Sequence, residues 1–252
     1  MIACHKLSFR LWHVEDNIKV SKSPEELAAR QALAEVSRLC YQRGYITGTE
    51  GNFSIRLGEN RILTTPRGVC KGRINEADLV VTDINGNPVD AHAALPSTEL
   101  KMHLAAYRLR EDIDAVVHAH PTIAVGFTVA GVSLSTPALP EVVCTIGGIP
   151  VAPYATPSTD EVVESIEPFV KKCDALMLDH HGALCLGKDI WDAFYKLETL
   201  EHQAQTLLVA HLLGGPKPLS KAQVNSLMAI RSVYGLTNEL DVDYLTGSST
   251  EA

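Results

Sequence analysis

Apolar residues recur at helical spacing in several stretches of the chain and at alternating or continuous spacing in the shorter runs between them. The first helical pattern, SKSPEELAARQALAEVSRLCYQRG, places Ser23 as N-cap, Pro24 at the first helical position and Glu26 as the third residue of a capping box. Gly44 fits a C-terminal stop. The pattern therefore predicts a helix between Ser23 and Gly44.

The other elements are predicted from the same two periodicities. Helices are expected at 96–110, at 158–173 with Ser158 and Glu161 in capping-box spacing, from Asp189 to Gly214, and within 222–236. Strands are expected at 53–56, 61–65, 79–83, 114–120 and 143–155, with a strand, turn and strand over 175–187 and an Asn-Gly turn within 84–88. Strands interleave with helices, and no linker or repeat divides the chain. The pattern indicates one α/β domain with a central sheet.

Composition agrees with a globular domain and limits the class of protein. Of the 252 residues, 46% are hydrophobic and 21% charged, and no apolar run approaches the length of a membrane span. The first 22 residues are interrupted by basic residues and histidines, so they predict an arm or extension rather than a secretory signal. We expect the domain at 23–238, a flexible tail at 239–252 and a cytoplasmic location.

Charge and cysteine content exclude further classes. A net charge of −8 disfavours a general nucleic-acid-binding protein, because neutralising phosphates needs a basic surface. The six cysteines are scattered without a C-x-x-C pair, which indicates buried free thiols.

The stretch DAVVHAHPTIAVG carries the first candidate chemistry. Strand alternation points His118 and His120 to the same face, where both imidazoles could reach one metal ion at roughly 2.0–2.1 Å. The alternative is two polar residues at a strand end, each bonded to a backbone carbonyl.

A second pair of histidines follows another apolar strand, in LDHHG. His180 and His181 are adjacent, so only one of them would face a metal shared with the first pair, and Gly182 permits a tight turn close to an ion. Three histidines with an open position are typical of a catalytic zinc site. The alternative is a polar turn with surface histidines.

Three short stretches could bind an anion. In LPSTELKMH, Glu99 stands at a helix entry beside Ser97 and Thr98, which is either an anion site or an ordinary cap. Gly51 and Asn52 in TGTEGNFSIR form either an anion-binding turn or a hairpin turn.

The third stretch, TPRGVCKGR, places basic residues in an acidic chain. Arg67, Gly68, Lys71 and Arg73 together could form a phosphate pocket, whereas singly each is typical of solvated surface.

Taken in order, GTEGNFSIR, TPRG, PSTEL, VVHAH and DHHG resemble the class II aldolase/adducin family, and within it the sugar-phosphate aldolases of the L-fuculose-1-phosphate type. The resemblance extends over about residues 25–236. Glu99 lies 19 positions before His118, and His181 lies 63 positions after it. Single motifs are loose, but the ordered set with this spacing is specific.

The resemblance implies a three-layer αβα single domain around a central, mainly antiparallel sheet. It also implies a zinc-dependent lyase that reversibly cleaves a ketose 1-phosphate to dihydroxyacetone phosphate and an aldehyde through a metal-stabilised enediolate. Mn²⁺ or Co²⁺ is an alternative to Zn²⁺. The expected assembly is a C4 homotetramer with active sites between subunits.

The resemblance further implies roles for individual residues. His118, His120 and His181 would bind zinc, and Glu99 would be a displaceable fourth ligand and the general acid/base. The residues expected to hold the substrate phosphate are Gly51, Asn52, Gly68, Ser97 and Thr98. Tyr234 would reach the active site of a neighbouring subunit.

Two departures from the family pattern bear on the substrate. Arg67 replaces the threonine or serine usual before Gly68, which would strengthen phosphate binding or indicate a carboxylate-bearing or larger substrate. Residues 122–153 contain no tyrosine, although the aldolases have a catalytic one there. A 5-deoxy- or methylthio-pentulose 1-phosphate therefore remains an alternative substrate.

Other members of the family provide alternative functions. Related epimerases tend to have aspartate where Glu99 stands, so the glutamate favours an aldolase over an epimerase. Methylthioribulose-phosphate dehydratases are further relatives, and a dehydratase stays an alternative. An adducin-like scaffold would lose the metal site, and retention of His118, His120, His181 and Glu99 argues for an enzyme.

Overall fold

The computed structural model describes residues 22–234 of the chain. Within that range seven strands form one sheet: β1 Asn52–Arg56, β2 Arg61–Thr64, β3 Val80–Asp83, β4 Ala115–Ala119, β5 Val151–Ala152, β6 Ala175–Leu178 and β7 Gly182–Gly187. The α-helices of the same range are α1 Pro24–Gln42, α2 Leu100–Leu109, α3 Thr122–Val129, α4 Pro140–Thr145, α5 Glu161–Val170, α6 Ile190–Leu212 and α7 Lys221–Ala229.

The sheet has the order β3-β2-β1-β4-β7-β6-β5, and every pair of neighbouring strands is antiparallel except β5 with β6. Each of its faces is covered by a separate apolar core. Leu33, Val117 and Leu197 belong to the core shared with α1, α3 and α6. Val116 and Ile166 belong to the core under α2 and α5. The three-layer single domain with a mainly antiparallel sheet is confirmed.

Three helix ends have the capping residues that the sequence predicted. The Ser23 hydroxyl accepts from the Glu26 N–H at 3.2 Å, and the Asp189 carboxylate accepts from the Asp192 N–H at 2.9 Å. Gly44 has φ +73°, as a left-handed stop requires. The Glu26 carboxylate accepts from Arg30 of α1 and Arg61 of β2, so it does not make the return bond of the predicted capping box.

The predicted strand at 143–155 is wrong over most of its length. Its first residues belong to α4, which has Pro140 at its first turn, and only Val151–Ala152 pair as a strand. A proline suits the first turn of a helix because its missing N–H would be unbonded there anyway. Gly147, with φ +84°, then turns the chain out of the helix.

The predicted start of the helix at 158–173 is also wrong. Ser158 has φ +66°, α5 begins three residues later, and Asp160 stands at its N-cap without a capping side-chain bond. The Glu161 carboxylate instead accepts from the Thr156 N–H at 3.0 Å, which bonds it to the preceding turn.

The predicted arm at 1–22, apart from Lys22, and the predicted tail at 239–252 lie outside the described residues, so the proposed domain limits stay a prediction. Among residues 22–234, no helix combines the length and the apolar character needed to cross a membrane.

The antiparallel pairing brings the ends of three inner strands, β1, β4 and β7, together at one end of the sheet. Asn52 at the start of β1 is opposite His118 near the end of β4, and Ala119 is opposite Ala183 near the start of β7. The first turn of α2 lies at the same end of the sheet, because Glu99 immediately before it contacts His118. Side chains from distant parts of the sequence therefore meet there.

Candidate metal centre

Three histidines converge at this end of the sheet. His118 is in β4, His120 follows its last residue, and His181 lies in the turn between β6 and β7. The ring centroids are 4.9–5.0 Å apart, and one ring nitrogen from each lies within 4.8 Å of the others. The shared face predicted for the first two histidines is confirmed.

The neighbouring histidine of the second pair points elsewhere. His180 has φ +56°, and its Nδ1 lies 2.9 Å from a carboxylate oxygen of Asp179. The imidazole of His180 is half exposed, whereas that of His181 is only 11% exposed. Of the adjacent pair, His181 is therefore the one that joins the cluster.

Glu99 supplies a carboxylate to the same cluster. Its Oε1 lies 3.1 Å from Nε2 of His181, and its Oε2 lies 3.5 Å from Nε2 of His118. The Asn52 amide donates to Oε2 at 2.8 Å. Both carboxylate oxygens thus face the histidines.

The charge state of Glu99 follows from those neighbours. Burial by itself would raise the pKa of this carboxyl group. His118, His181 and the amide of Asn52 outweigh burial and hold the pKa well below its usual value. Glu99 is therefore an ionised carboxylate at neutral pH, as a ligand or a base must be.

The protonation of His118 fits a bound cation. Burial lowers its pKa well below the usual value, so the ring is neutral and carries one N–H. Its Nδ1 lies 2.9 Å from the Ala183 carbonyl oxygen, which can only accept, so the hydrogen is on Nδ1. The lone pair of Nε2 then points into the cluster, 3.1 Å from Nε2 of His120.

Three imidazoles and one carboxylate are a donor set suited to a borderline divalent ion. Such ligands bind Zn²⁺ well, and they also bind Mn²⁺ or Co²⁺. Burial also lowers the pKa of His120, which keeps a second ring neutral and able to ligate. The residues therefore fit a metal site.

The candidate phosphate residues form two neighbouring loops. Pro66 and Pro96 pair as an isolated bridge, and the Arg67 N–H donates to the Leu95 carbonyl at 2.9 Å. The loop with Arg67 and Gly68 thereby lies beside the loop with Ser97 and Thr98. Arg67 and Thr98 are exposed, as residues that meet a soluble ligand should be.

Gly51 and Asn52 differ from these loops in their contacts. Gly51 has φ +68°, and a Cβ there would come within 2.6 Å of the Ile46 side chain, so the position requires glycine. Asn52 is buried and its amide donates to Glu99, which gives it a contact with the metal cluster that the sequence did not predict.

Two further residues contact or adjoin the cluster and were not among the predicted ligands. Glu50 lies 3.4 Å from the Nδ1 of His120, and Lys71 is buried beneath the turn that carries Glu50. The basic character of 65–73 singled out Lys71 only as a possible phosphate contact. Tyr234 ends a short 3₁₀ helix, and its side chain lies outside the described part of the chain.

The sequence is similar to a known protein family and to several of its members. Residues 31–208 match the family model described as "Class II Aldolase and Adducin N-terminal domain". An L-fuculose phosphate aldolase from Methanococcus maripaludis is 35% identical over 171 residues, which cover 68% of this chain and 91% of that protein. A 3-oxo-tetronate 4-phosphate decarboxylase from Haemophilus influenzae is 32% identical over 184 residues, covering 71% and 87% respectively.

A solved structure agrees with the sequence comparisons. The L-fuculose-1-phosphate aldolase from Thermus thermophilus is 30% identical, with a TM-score of 0.66, covering 77% of this chain and 100% of that one. The architecture and the sequence pattern therefore point to the same group of proteins.

Proposed function

The chain belongs to the class II aldolase and adducin family, and from that membership we propose that it is a metal-dependent lyase acting on a phosphorylated sugar. The observation that supports this most is the convergence of His118, His120, His181 and Glu99. Burying these polar groups together costs free energy unless they have partners. A scaffold of the adducin kind would have no need of that arrangement.

We infer that the three histidines hold one divalent ion, with zinc favoured by the ligand types. When bound, this ion would act as a Lewis acid on the negative charge that develops on the substrate's carbonyl oxygen. Glu99 is proposed to complete the donor set and to move a proton at the carbon beside that carbonyl. Its ionised state and its contacts with His181 and Asn52 support the role of base.

We propose that the substrate phosphate binds near the first turn of α2. Free N–H groups and hydroxyls at a helix start favour anions, and Thr98 is exposed there. The Arg67 loop lies alongside and adds a positive charge. The residues assigned to this site are Gly51, Asn52, Arg67, Gly68, Ser97 and Thr98.

Our first candidate reaction is cleavage of a ketose 1-phosphate to dihydroxyacetone phosphate and an aldehyde. L-Fuculose 1-phosphate is the reference substrate, with 5-deoxy- and methylthio-pentulose 1-phosphates as alternatives. Aldolase relatives at about one third identity support this reaction. Cleavage is favoured over epimerisation because Glu99 is a glutamate, whereas related epimerases tend to have aspartate at this position.

Decarboxylation is the second candidate, and Arg67 is the residue that favours it. A guanidinium binds a carboxylate as well as it binds a phosphate. Loss of the carboxylate from 3-oxo-tetronate 4-phosphate also leaves dihydroxyacetone phosphate, so both reactions generate a carbanion next to the same carbonyl. They differ in the leaving group, which is an aldehyde in one and carbon dioxide in the other.

A product assay separates these candidates. The purified, metal-replete protein would be incubated with five- and six-carbon ketose 1-phosphates, including deoxy and methylthio forms, and with 3-oxo-tetronate 4-phosphate. Dihydroxyacetone phosphate with an aldehyde supports the aldolase, and the same product with carbon dioxide supports the decarboxylase. Absence of any cleavage, together with less than about 0.2 equivalents of metal after chelator-free purification, would overturn the proposed function.

A matched pair of variants tests the metal site itself. His181→Asn removes a proposed ligand, whereas His180→Asn changes the adjacent imidazole that faces Asp179. Asparagine tolerates the positive φ of position 180. We expect His181→Asn to lose bound metal and activity while His180→Asn keeps both. Equal metal content in the two variants would contradict the ligand assignment.

We further propose a C4 homotetramer in the cytoplasm, with Tyr234 reaching the site of a neighbouring subunit. Family membership supports this assembly. Light scattering would measure the number of subunits, and a monomer that retains full activity would exclude a catalytic role for Tyr234 across subunits.

A further inference from the structure

Glu50 contacts one of the three histidines from the side away from the cluster. Its Oε2 lies 3.4 Å from Nδ1 of His120, while Nε2 of the same ring lies 3.1 Å from Nε2 of His118. The side chain of Glu50 is 45% exposed and that of His120 only 21%. Glu50 is thus the more exposed partner of this contact.

This contact favours one of the two tautomers of His120, because a carboxylate can only accept a hydrogen bond. A neutral ring with its hydrogen on Nδ1 directs that hydrogen towards Glu50 and keeps on Nε2 the lone pair that a metal ion needs. The Ala183 carbonyl imposes the same tautomer on His118. With His118 in that tautomer, the metal-free ring of His120 can instead carry its hydrogen on Nε2 and donate it to Nε2 of His118 at 3.1 Å, so the contact with Glu50 matters most when a metal ion replaces that hydrogen.

The turn that carries Glu50 is held in place by the surrounding chain. The Glu50 N–H donates to the Thr47 carbonyl at 3.0 Å, and the His120 N–H donates to the Tyr45 carbonyl at 2.8 Å. The same segment thus binds His120 through its backbone at one end and through a carboxylate at the other.

Lys71 anchors this turn from below. It is 2% exposed, and its Nζ donates to the Thr49 carbonyl at 2.6 Å. Burial lowers the pKa of Lys71 to about 8, and the negative charges of Glu99 and Glu50 oppose that effect. Lys71 therefore bonds to the backbone carbonyl immediately before Glu50 and helps to hold the turn.

We propose that Glu50 is a positioning residue of the metal centre, which orients the imidazole of His120 and increases its basicity as a ligand. The proposal rests on the metal site of the proposed function and adds a group outside the donor set. Carboxylates that accept from the far nitrogen of a ligating histidine have this effect in metalloproteins, where their loss typically weakens metal binding about 10- to 100-fold.

The experiment measures Zn²⁺ affinity by competition with a chromophoric chelator and records the absorption spectrum of the Co²⁺-loaded protein. Glu50→Ala is expected to weaken Zn²⁺ binding about 10- to 100-fold and to change the Co²⁺ bands. Glu50→Gln keeps an acceptor oxygen but not the charge, so its loss should be smaller. A Zn²⁺ affinity of Glu50→Gln between those of the wild type and Glu50→Ala would separate positioning of His120 from simple loss of a side chain.

Glu59→Ala is the matched control, because it removes the same charge from an exposed turn at the opposite end of β1. We expect it to bind Zn²⁺ as the wild type does. Zn²⁺ affinity of Glu50→Ala within twofold of a tightly binding wild type would overturn the role of Glu50 and leave the proposed function intact. A wild type that binds no metal would overturn both.

Discussion

Glu99 faces two of the three histidines, and its neighbours keep it ionised. Glu99→Gln should preserve the fold, because the amide has nearly the same shape, and the three histidines should still hold metal. We expect it to lower the exchange of solvent deuterium into dihydroxyacetone phosphate by about 10²- to 10⁴-fold, the usual contribution of a general base. Mass spectrometry of the recovered product measures this exchange for either candidate reaction.

Glu59→Gln makes the same chemical change on an exposed turn and should exchange deuterium at the wild-type rate. A Glu99→Gln variant that exchanges as fast as this control would show that another group moves the proton.

His103 is fully buried one helical turn after Glu99, with its Nδ1 2.7 Å from the Ser54 hydroxyl. Burial lowers its pKa from 6.5 to about 3. Between these values the unfolded chain binds a proton that the folded protein does not, so stability is lost as the pH falls through this window. The expected contribution is up to about 1.4 kcal/mol per pH unit.

His103→Gln removes that contribution. Urea unfolding of metal-free protein between pH 6.5 and about 4 should show a shallower fall in the free energy of unfolding for the variant than for the wild type. Parallel curves for the two proteins would mean that His103 is protonated in the folded state.

The sequence predicted the members of the metal cluster but not the residues that support them. Alternation along a strand and the resemblance identified His118, His120 and His181, because ligand residues leave a signal in their type and spacing. The contacts of Glu50 and Asn52 left no such signal, since they depend on where two turns lie relative to β4.

Among the elements, prediction failed where an apolar run had no clear period. The stretch at 143–155 has the composition of a buried strand, but packing decides its structure. Val143 and Cys144 lie in a helix against α7, and only Val151–Ala152 pair with β6. Short apolar runs of this kind do not distinguish helix from strand.

Gly182 shows how one strand end shapes the metal centre. It opens β7, and a Cβ there would lie 2.6 Å from the Ala119 carbonyl oxygen and 2.6 Å from Cδ2 of His120. Gly182→Ala should therefore displace His120 and weaken Zn²⁺ binding on the order of tenfold or more, measured by chelator competition.

Gly126→Ala adds the same methyl group within α3, where, apart from the adjoining residues and the backbone of the helix itself, no described atom lies within 4 Å of the new Cβ. It should keep wild-type Zn²⁺ affinity and raise stability by up to about 1 kcal/mol, because alanine favours the helix. Wild-type Zn²⁺ affinity in Gly182→Ala would contradict the steric argument.

The layered architecture depends on pairings between distant strands, and local sequence carries little information about them. The interleaved pattern predicted a sheet with helices, and the resemblance supplied the three layers and the antiparallel strands. The order of the strands follows from register, such as Asn52 opposite His118, which no local period encodes.

At the end of the sheet opposite the metal centre, Asp174 joins all three layers. It directly precedes β6 and accepts from Lys196 of α6 at 2.9 Å and from Arg110, at the end of α2, at 2.8 Å. The pKa of Asp174 is lowered, because the two cations outweigh the burial that alone would raise it. Both the Asp174 and the Lys196 side chains are less than 10% exposed. Their charges therefore depend on each other.

Asp174→Asn should destabilise the protein by roughly 3 kcal/mol, because it leaves a buried ammonium without its main counter-ion. The loss is at the lower end for such pairs, since Asp192 still lies 3.0 Å from Nζ of Lys196. Denaturant unfolding of Asp174→Asn, Lys196→Met and the double variant should give a double variant more stable than the sum of the two losses predicts. Strict additivity would show that the pair is not coupled. Zn²⁺ affinity of the folded Asp174→Asn variant should equal that of the wild type, because the strands separate this cluster from the three histidines.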